Sequence, residues 1–315
     1  MTAPEPARWA VCSTVKADAR TILEFAAHHL EAGAHRVFLY LDAPCPAAMP
    51  FLRAHPRIRV VNCNAAYWQK RRQGRPEKHQ VRQTVNATRC YRQQAHQADW
   101  LAHIDVDEFL WAERPVGEIL AGLPKEAICA RVRPLEPLTG DGTAFKAVPY
   151  GADRGEVLRR VYPRFGQWVK GGFFSHTNGK LFVRSGQEGL KLRIHNAYVE
   201  DLENPCQVEL DEVDLCHLHA RDREDWLAHY RYRLEKGAYR EELSPNRPRS
   251  EGGITMHALL RRIEEESGET GLRGFYDELC SDTPDLRARL KAEGLLRIRH
   301  LRLDALRRKH FPDFG

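Results

Sequence analysis

The chain has no C-x-x-C pair, no long apolar run, no Gly-rich phosphate loop, no internal repeat and no low-complexity tract. Its eight cysteines stand singly at 12, 45, 63, 90, 129, 206, 216 and 280. That scatter argues against a zinc or disulfide framework and for reduced, mostly buried thiols. Without a sufficiently long apolar run, a membrane-crossing helix is not expected. The opening Met1–Arg8 is polar and Pro-rich, unlike a secretory signal, so the expected location is cytoplasmic. Without a phosphate loop, kinases, P-loop ATPases and nicotinamide enzymes recede. Neither sign of charge dominates: 49 Lys and Arg against 43 Asp and Glu give +6. This balance favours phosphate-bearing ligands or an anionic membrane surface and is too small to argue for nucleic acid.

What is present is ordinary globular material. The 315 residues, 42% hydrophobic and 29% charged, suffice for one large domain or two smaller ones. Trp9 to Val15 is short, apolar and β-prone. Ala19 to Ala32 places Ile22, Leu23, Phe25, Ala26 and Leu30 at helical spacing before Gly33, and Arg36 to Leu41 is a second apolar strand ending at Asp42. Strand, helix, strand is a βαβ unit and predicts a parallel sheet. Ile58 to Asn62 extends it. A basic loop, Gln69 to Pro76, and a helix from Glu77 to Ala98 with Val81, Val85, Cys90 and Ala95 among its less polar positions lead to the next strand.

That strand is the centre of the sequence: Trp100-Leu-Ala-His-Ile-Asp105-Val-Asp107-Glu108-Phe109-Leu110-Trp111. An apolar run ending in two acids one residue apart predicts a buried strand with Asp105 and Asp107 projecting to one side. Such a pair repels itself unless a cation lies between, and Mg2+ or Mn2+ takes carboxylate oxygens in this way. Because ligands gather at the carboxyl ends of strands in open parallel sheets, Lys16, Asp42, Asp105 and Asp107 are expected to converge on one crevice.

Beyond Trp111 the pattern predicts a short helix within Pro115–Leu123 and strands at Ala127–Arg133, Lys180–Arg184 and Leu190–His195. Between them lies a turn-rich stretch, Pro134 to Gly142, in which Glu136 and Asp141 offer acids to the crevice. Gly171-Gly172 marks a tight turn. His217 and His219 alternate on a strand-like run and are candidate further ligands for Mn2+, and Asp222 is placed to cap a helix carrying Trp226 and Tyr230. From Gly237 the chain reads as charged helices, including Leu295 to Leu303, packing on the main domain.

Taken together, the segments Val15-Lys16, Leu23 to Ala34, Trp100 to Leu110, Lys180 to Arg184 and His217 to Trp226 resemble family 2 type glycosyltransferases, in the bacterial branch marked by the peptide Asp-Val-Asp-Glu-Phe. The resemblance covers roughly residues 9 to 237. It implies an α/β GT-A fold, with a mostly parallel central sheet flanked by helices over 1–235 and a helical C-terminal extension over 236–315. It implies a hexosyltransferase-like enzyme with a nucleotide-sugar donor, a divalent cation (Mn2+ or Mg2+) and a glycan or lipid-linked acceptor. Peripheral contact with the inner membrane, and no nucleic acid partner, go with it. Asp105 and Asp107 would hold the cation, His217 or His219 would complete its shell, and Lys16, Asp42, Asp105 and Arg221 would contact the donor. An inverting reaction needs a base, for which Glu136 and Asp141 are the candidates. Two alternatives share parts of the pattern: a nucleotidyltransferase or metallo-phosphohydrolase, and a non-catalytic nucleotide- or glycan-binding protein.

Overall fold

The computed structural model describes residues 5–220, 222–237 and 239–315. They form two compact units: Met1–Arg133 with Asn178–Leu215 and Leu301–Gly315, and Pro134–Thr177 with Cys216–His300. The units interleave along the chain.

In the first unit, strands β1 (Trp9–Val15), β2 (Arg36–Leu41), β3 (Ile58–Asn62) and β4 (Trp100–His103) run parallel in the order β4-β1-β2-β3. After β5 (Glu108–Ala112), the first residues of β6 (Cys129–Pro137) pair antiparallel with a later strand, Lys180–Arg184, which itself pairs antiparallel with β4. The sheet is thus mostly parallel and flanked by helices, as expected. All seven residues of β1 are buried, because both faces of a parallel sheet are covered. Ala10, Cys12, Phe38 and Tyr40 pack with Ala87, Cys90 and Tyr91 of helix His79–Gln94. Val11, Val37 and Leu39 are buried on the alternate positions. Helix Ala19–Glu31 starts where Asp18 accepts from the Thr21 N–H at 2.9 Å and is followed by Gly33 at φ +97°. Helix Leu303–His310 joins it through Lys309 Nζ to Glu31 Oε1 at 2.8 Å and Arg20 to Asp304 at 3.3 Å.

Two expectations are corrected here. Of the less polar positions of helix His79–Gln94, Cys90 is buried but Val81 is not. Val81 is 42% exposed, and Arg82, Gln83 and Asn86 are buried beside Ala87 and Cys90. β4 also stops at His103, so Asp105 and Asp107 lie on the turn between β4 and β5 rather than in a strand.

In the second unit, the end of β6 pairs antiparallel with β7 (Ala144–Ala147), and β7 pairs antiparallel with Leu296–Ile298. Glu136 therefore stands in a strand, not in the turn-rich loop read from the sequence. The Leu295–Leu303 stretch contributes a strand where a helix was expected. The core is Trp226, Tyr230, Leu260, Phe275, Tyr276 and Leu279 with their neighbours. Helix Arg223–Glu235 is capped by Asp222, which accepts from the Asp225 N–H at 2.8 Å. Helices Met256–Cys280 and Pro284–Ala292 make the later part of the chain largely helical. Among the described residues no helix is long and apolar enough to cross a membrane.

Candidate functional site

A cavity of about 1120 Å³ opens in the first unit where β1, β2 and β3 end. Lys16 follows β1, Asp42 follows β2 and Asn62 ends β3, and all three line it. This is the place where an open parallel sheet receives ligands. Lys16 is exposed at the rim. Asp42 is buried and held from three sides: Arg82 Nε donates to both carboxylate oxygens at 2.9 Å, Arg75 Nη2 donates at 3.1 Å, and His79 Nδ1 lies at 3.2 Å. Burial works against the Asp42 charge, and Arg82 and Arg75 outweigh it, so its carboxyl titrates below its ordinary range. Trp68, Arg53 and Asn64 complete much of the wall.

The residue next to Arg82 reaches the carboxylate turn. Gln83 Nε2 donates to Asp105 Oδ1, so consecutive side chains at the start of one helix hold Asp42 and Asp105. Three positions on, Asn86 is fully buried, donates to Thr14 Oγ1 at 3.1 Å and accepts from Tyr67 O–H at 2.7 Å. The other oxygen of Asp105 meets Lys180 Nζ at 2.5 Å. The same ammonium lies 3.3 Å from Glu108, whose carboxylate accepts the Asp105 N–H at 2.7 Å. Burial opposes the Asp105 charge and Lys180 overrides it, keeping the carboxyl below its usual value. Lys180 is itself buried, and its two acid neighbours raise its pKa against that burial.

His103, at the end of β4, is buried. Its pKa is pushed down to about 4 by burial and by Lys180. Nδ1 lies 3.2 Å from the Arg193 carbonyl and so carries the proton, while Nε2 has no partner among the described residues. Asp105, Asp107 and Glu108 bring three carboxylates to one short stretch, with the Lys180 ammonium shared between Asp105 and Glu108. Hard carboxylate oxygens are the donor type that fits Mg2+ or Mn2+.

The second unit holds the other candidates. Glu136 is 2% exposed. It pairs with Lys146 Nζ at 3.0 Å and accepts the N–H groups of Phe174 at 3.0 Å and Ser175 at 2.8 Å. The expected turn supplies this clamp. Gly172, at φ +73°, turns its carbonyl to Lys146 Nζ at 2.7 Å, and a Cβ there would come within 2.3 Å of the Tyr162 ring. Burial would raise the Glu136 pKa, but Lys146 and the Phe174 N–H bring it down to about 2. Asp141 is exposed and accepts from the Thr143 N–H at 2.8 Å and its hydroxyl at 2.6 Å.

His217 ends its strand, and the chain turns at once, with the His219 N–H donating to the His217 carbonyl at 2.9 Å. The two rings meet edge to face at 5.7 Å. His176 stands 5.1 Å from His217 by ring centroid, and each offers a ring nitrogen within 4.8 Å of the other. His219 Nε2 lies 3.2 Å from the Tyr239 hydroxyl, and burial and His217 push its pKa down to about 3. Arg221 lies outside the described residues.

The sequence reading missed Arg75, His79, Arg82, Gln83, Asn86, Lys180 and His176. One signal for Lys180 was available: a lysine opening an otherwise apolar strand, Lys180-Leu-Phe-Val-Arg184.

No family model and no curated protein sequence matches the chain. Among solved structures it is similar to a crystal structure of GalNAc-T7 with UDP, GalNAc and Mn2+, at 11% identity over 86% of this chain and 57% of that one, TM-score 0.39. It is also similar to the apo structure of the bifunctional glycosyltransferase WbbM, at 13% identity over 57% of this chain and 32% of that one, TM-score 0.29. The chain thus spans about half and about a third of those proteins. Both are glycosyltransferases, and at this distance neither assigns a role to a residue here.

Proposed function

We propose that the chain is a metal-dependent glycosyltransferase. It would move a hexose-type sugar from a nucleotide-diphosphate sugar to a glycan or lipid-linked acceptor, with inversion, in cell-surface polysaccharide synthesis on the cytoplasmic side of the membrane and without nucleic acid. The observation that supports it most is the combination, inside one unit, of a cavity at three strand ends with a carboxylate turn after the fourth. Lys16, Arg53 and Arg75 give the cavity its cationic wall for the diphosphate. Asp42, fixed by Arg82, is the acceptor for donor hydroxyl or base N–H groups. Asp105 and Asp107 hold the cation, which when bound would neutralise charge on the leaving nucleoside diphosphate. His217 or His219 as further ligands, and Arg221 on the phosphates, rest on the family resemblance. Of the two candidate bases, Asp141 keeps an exposed carboxylate, whereas Glu136 would have to leave its ion pair to take a proton.

A thermal-shift screen of nucleoside diphosphates and nucleotide sugars, with and without Mn2+, tests donor binding, since a ligand of the folded state raises Tm. Turnover by Asp107→Ala tests the chemistry, and an unchanged rate would sink the proposal. Release of pyrophosphate or phosphate in place of a nucleoside diphosphate would favour the nucleotidyltransferase or metallo-phosphohydrolase reading. One observation favours a non-catalytic binding protein: Asp105 is already satisfied by Lys180 and Gln83. Calorimetry showing tight donor binding, no metal dependence and no turnover would decide for it.

A further inference from the structure

A second cavity of the first unit, about 720 Å³, shares Trp68 with the donor cavity. Lys70 and Arg71 border it from the loop after helix Ala65–Gln69, Arg89 and Arg92 from helix His79–Gln94, and Lys191 and Arg193 from the segment beyond Arg184. Among the described residues, six cations line it and no carboxylate does. On other surfaces this chain pairs its arginines with acids, as in Arg114–Glu212, Arg133–Glu209 and Arg160–Glu293. Here the polar contacts are to neutral groups. Arg89 Nε donates to Gln93 Oε1 at 3.1 Å and its guanidinium lies over the Tyr67 ring at 4.9 Å. Arg71 Nη2 donates to Gln73 Oε1 at 3.4 Å, and Arg71 Nη1 is buried with no partner among the described residues.

Six like charges from three segments repel one another in the absence of an anion, and a buried guanidinium nitrogen with no acceptor costs free energy. Such an arrangement is stabilised by a polyanion. Guanidinium forks match the tetrahedral oxygens of phosphate in particular.

We propose that this cavity seats the acceptor and that the acceptor is a glycan bearing phosphate groups. Its role as acceptor rests on the glycosyltransferase reading, and its place follows from the shared Trp68 wall, which sets it beside the donor cavity. The concave form and the single aromatic pair, Tyr67 and Trp68, suit a compact phosphorylated saccharide better than a membrane plane or an extended nucleic acid strand, which would need a row of stacking platforms.

Calorimetry on the full chain, with no donor present, compares a phosphorylated mannose pentasaccharide with its dephosphorylated twin. The phosphorylated probe is expected to bind at least tenfold more tightly, and more weakly as salt rises. The triple variant Arg89→Gln/Arg92→Gln/Lys191→Gln is expected to lose at least tenfold in that affinity while UDP binding is kept. A control triple on other surfaces, Arg8→Gln/Arg59→Gln/Lys125→Gln, is expected to keep both. Equal affinity for the two saccharides, or equal loss in both triples, overturns the proposal. So does binding to phosphatidylglycerol vesicles that the cavity variant abolishes while the saccharide does not bind. Because no donor is turned over, failure here is distinguishable from failure of the glycosyltransferase reading, which shows as absent donor binding and turnover.

Discussion

Each unit buries a lysine against glutamate, and the two arrangements are built differently. In the second unit Lys146 meets one acid, Glu136, and backbone groups saturate both partners: the N–H groups of Phe174 and Ser175, and the carbonyls of Gly172 and Leu279. In the first unit Lys180 is shared by Asp105 and Glu108, on a turn that also carries the half-buried Asp107. A closed one-to-one pair has no capacity left for a ligand. In the first unit one ammonium is divided between two carboxylates. Burial and an ion pair alone therefore do not mark a site, and the proposed binding turn differs from the internal brace in that its lysine is shared rather than paired one to one.

The comparison is most sharply broken at Lys146. Lys146→Met leaves the Glu136 anion buried without its partner and is expected to cost about 3–5 kcal/mol in chemical denaturation. Lys146→Met/Glu136→Gln should recover a good part, and no recovery would show that packing around the lysine, not charge, matters there. The same pair has a pH signature. The Glu136 pKa is about 2 in the fold against an ordinary value of about 4.3. Its contribution, about 3 kcal/mol, is therefore present above about pH 4 and lost as pH falls toward 2. Glu136→Gln should flatten that part of the stability profile in urea titrations.

At the open turn the expected effect is on turnover rather than stability. Asp107→Ala should lower metal-dependent turnover about 100-fold or more with Tm nearly unchanged. A large Tm loss with the rate per folded molecule intact would make the turn a brace like the other. Asn86→Ala, which strands the Tyr67 hydroxyl and Thr14, should cost about 1–3 kcal/mol. Val81→Ser, one face away on the same helix, should stay within about 0.5 kcal/mol.

That helix also shows where the sequence stopped being legible. Apolar patterning found β1, β2 and Lys180–Arg184, which are buried along nearly their whole length, and also the more exposed edge strand β3. It failed on His79–Gln94, where the helix turns Arg82, Gln83 and Asn86 inward to meet Asp42, Asp105 and Thr14, partners whose approach no local pattern reveals. Pro134 hid the second half of β6. Its antiparallel ladders with Lys180–Arg184 and Ala144–Ala147 cover Cys129–Val132 and Leu135–Pro137, and the proline falls between them. The Leu295–Leu303 stretch alternates with a period of two as much as it fits a helix, and only its antiparallel partner, Ala144–Ala147, decides. The site was half visible: the acids and histidines stood out by type and spacing, while Lys180 and the Asp42 clamp are products of tertiary approach.

The return of Leu301–Gly315 to the first unit has a consequence for how the protein is made. The partners of Arg20, Glu31 and Phe51 are Asp304, Lys309 and Phe314, at 3.3, 2.8 and 5.5 Å. A ribosome delivers the residues that line the cavity at the ends of β1, β2 and β3 before these covering residues. The nascent first unit thus waits, one flank of helix Ala19–Glu31 bare, until the whole second unit has been translated.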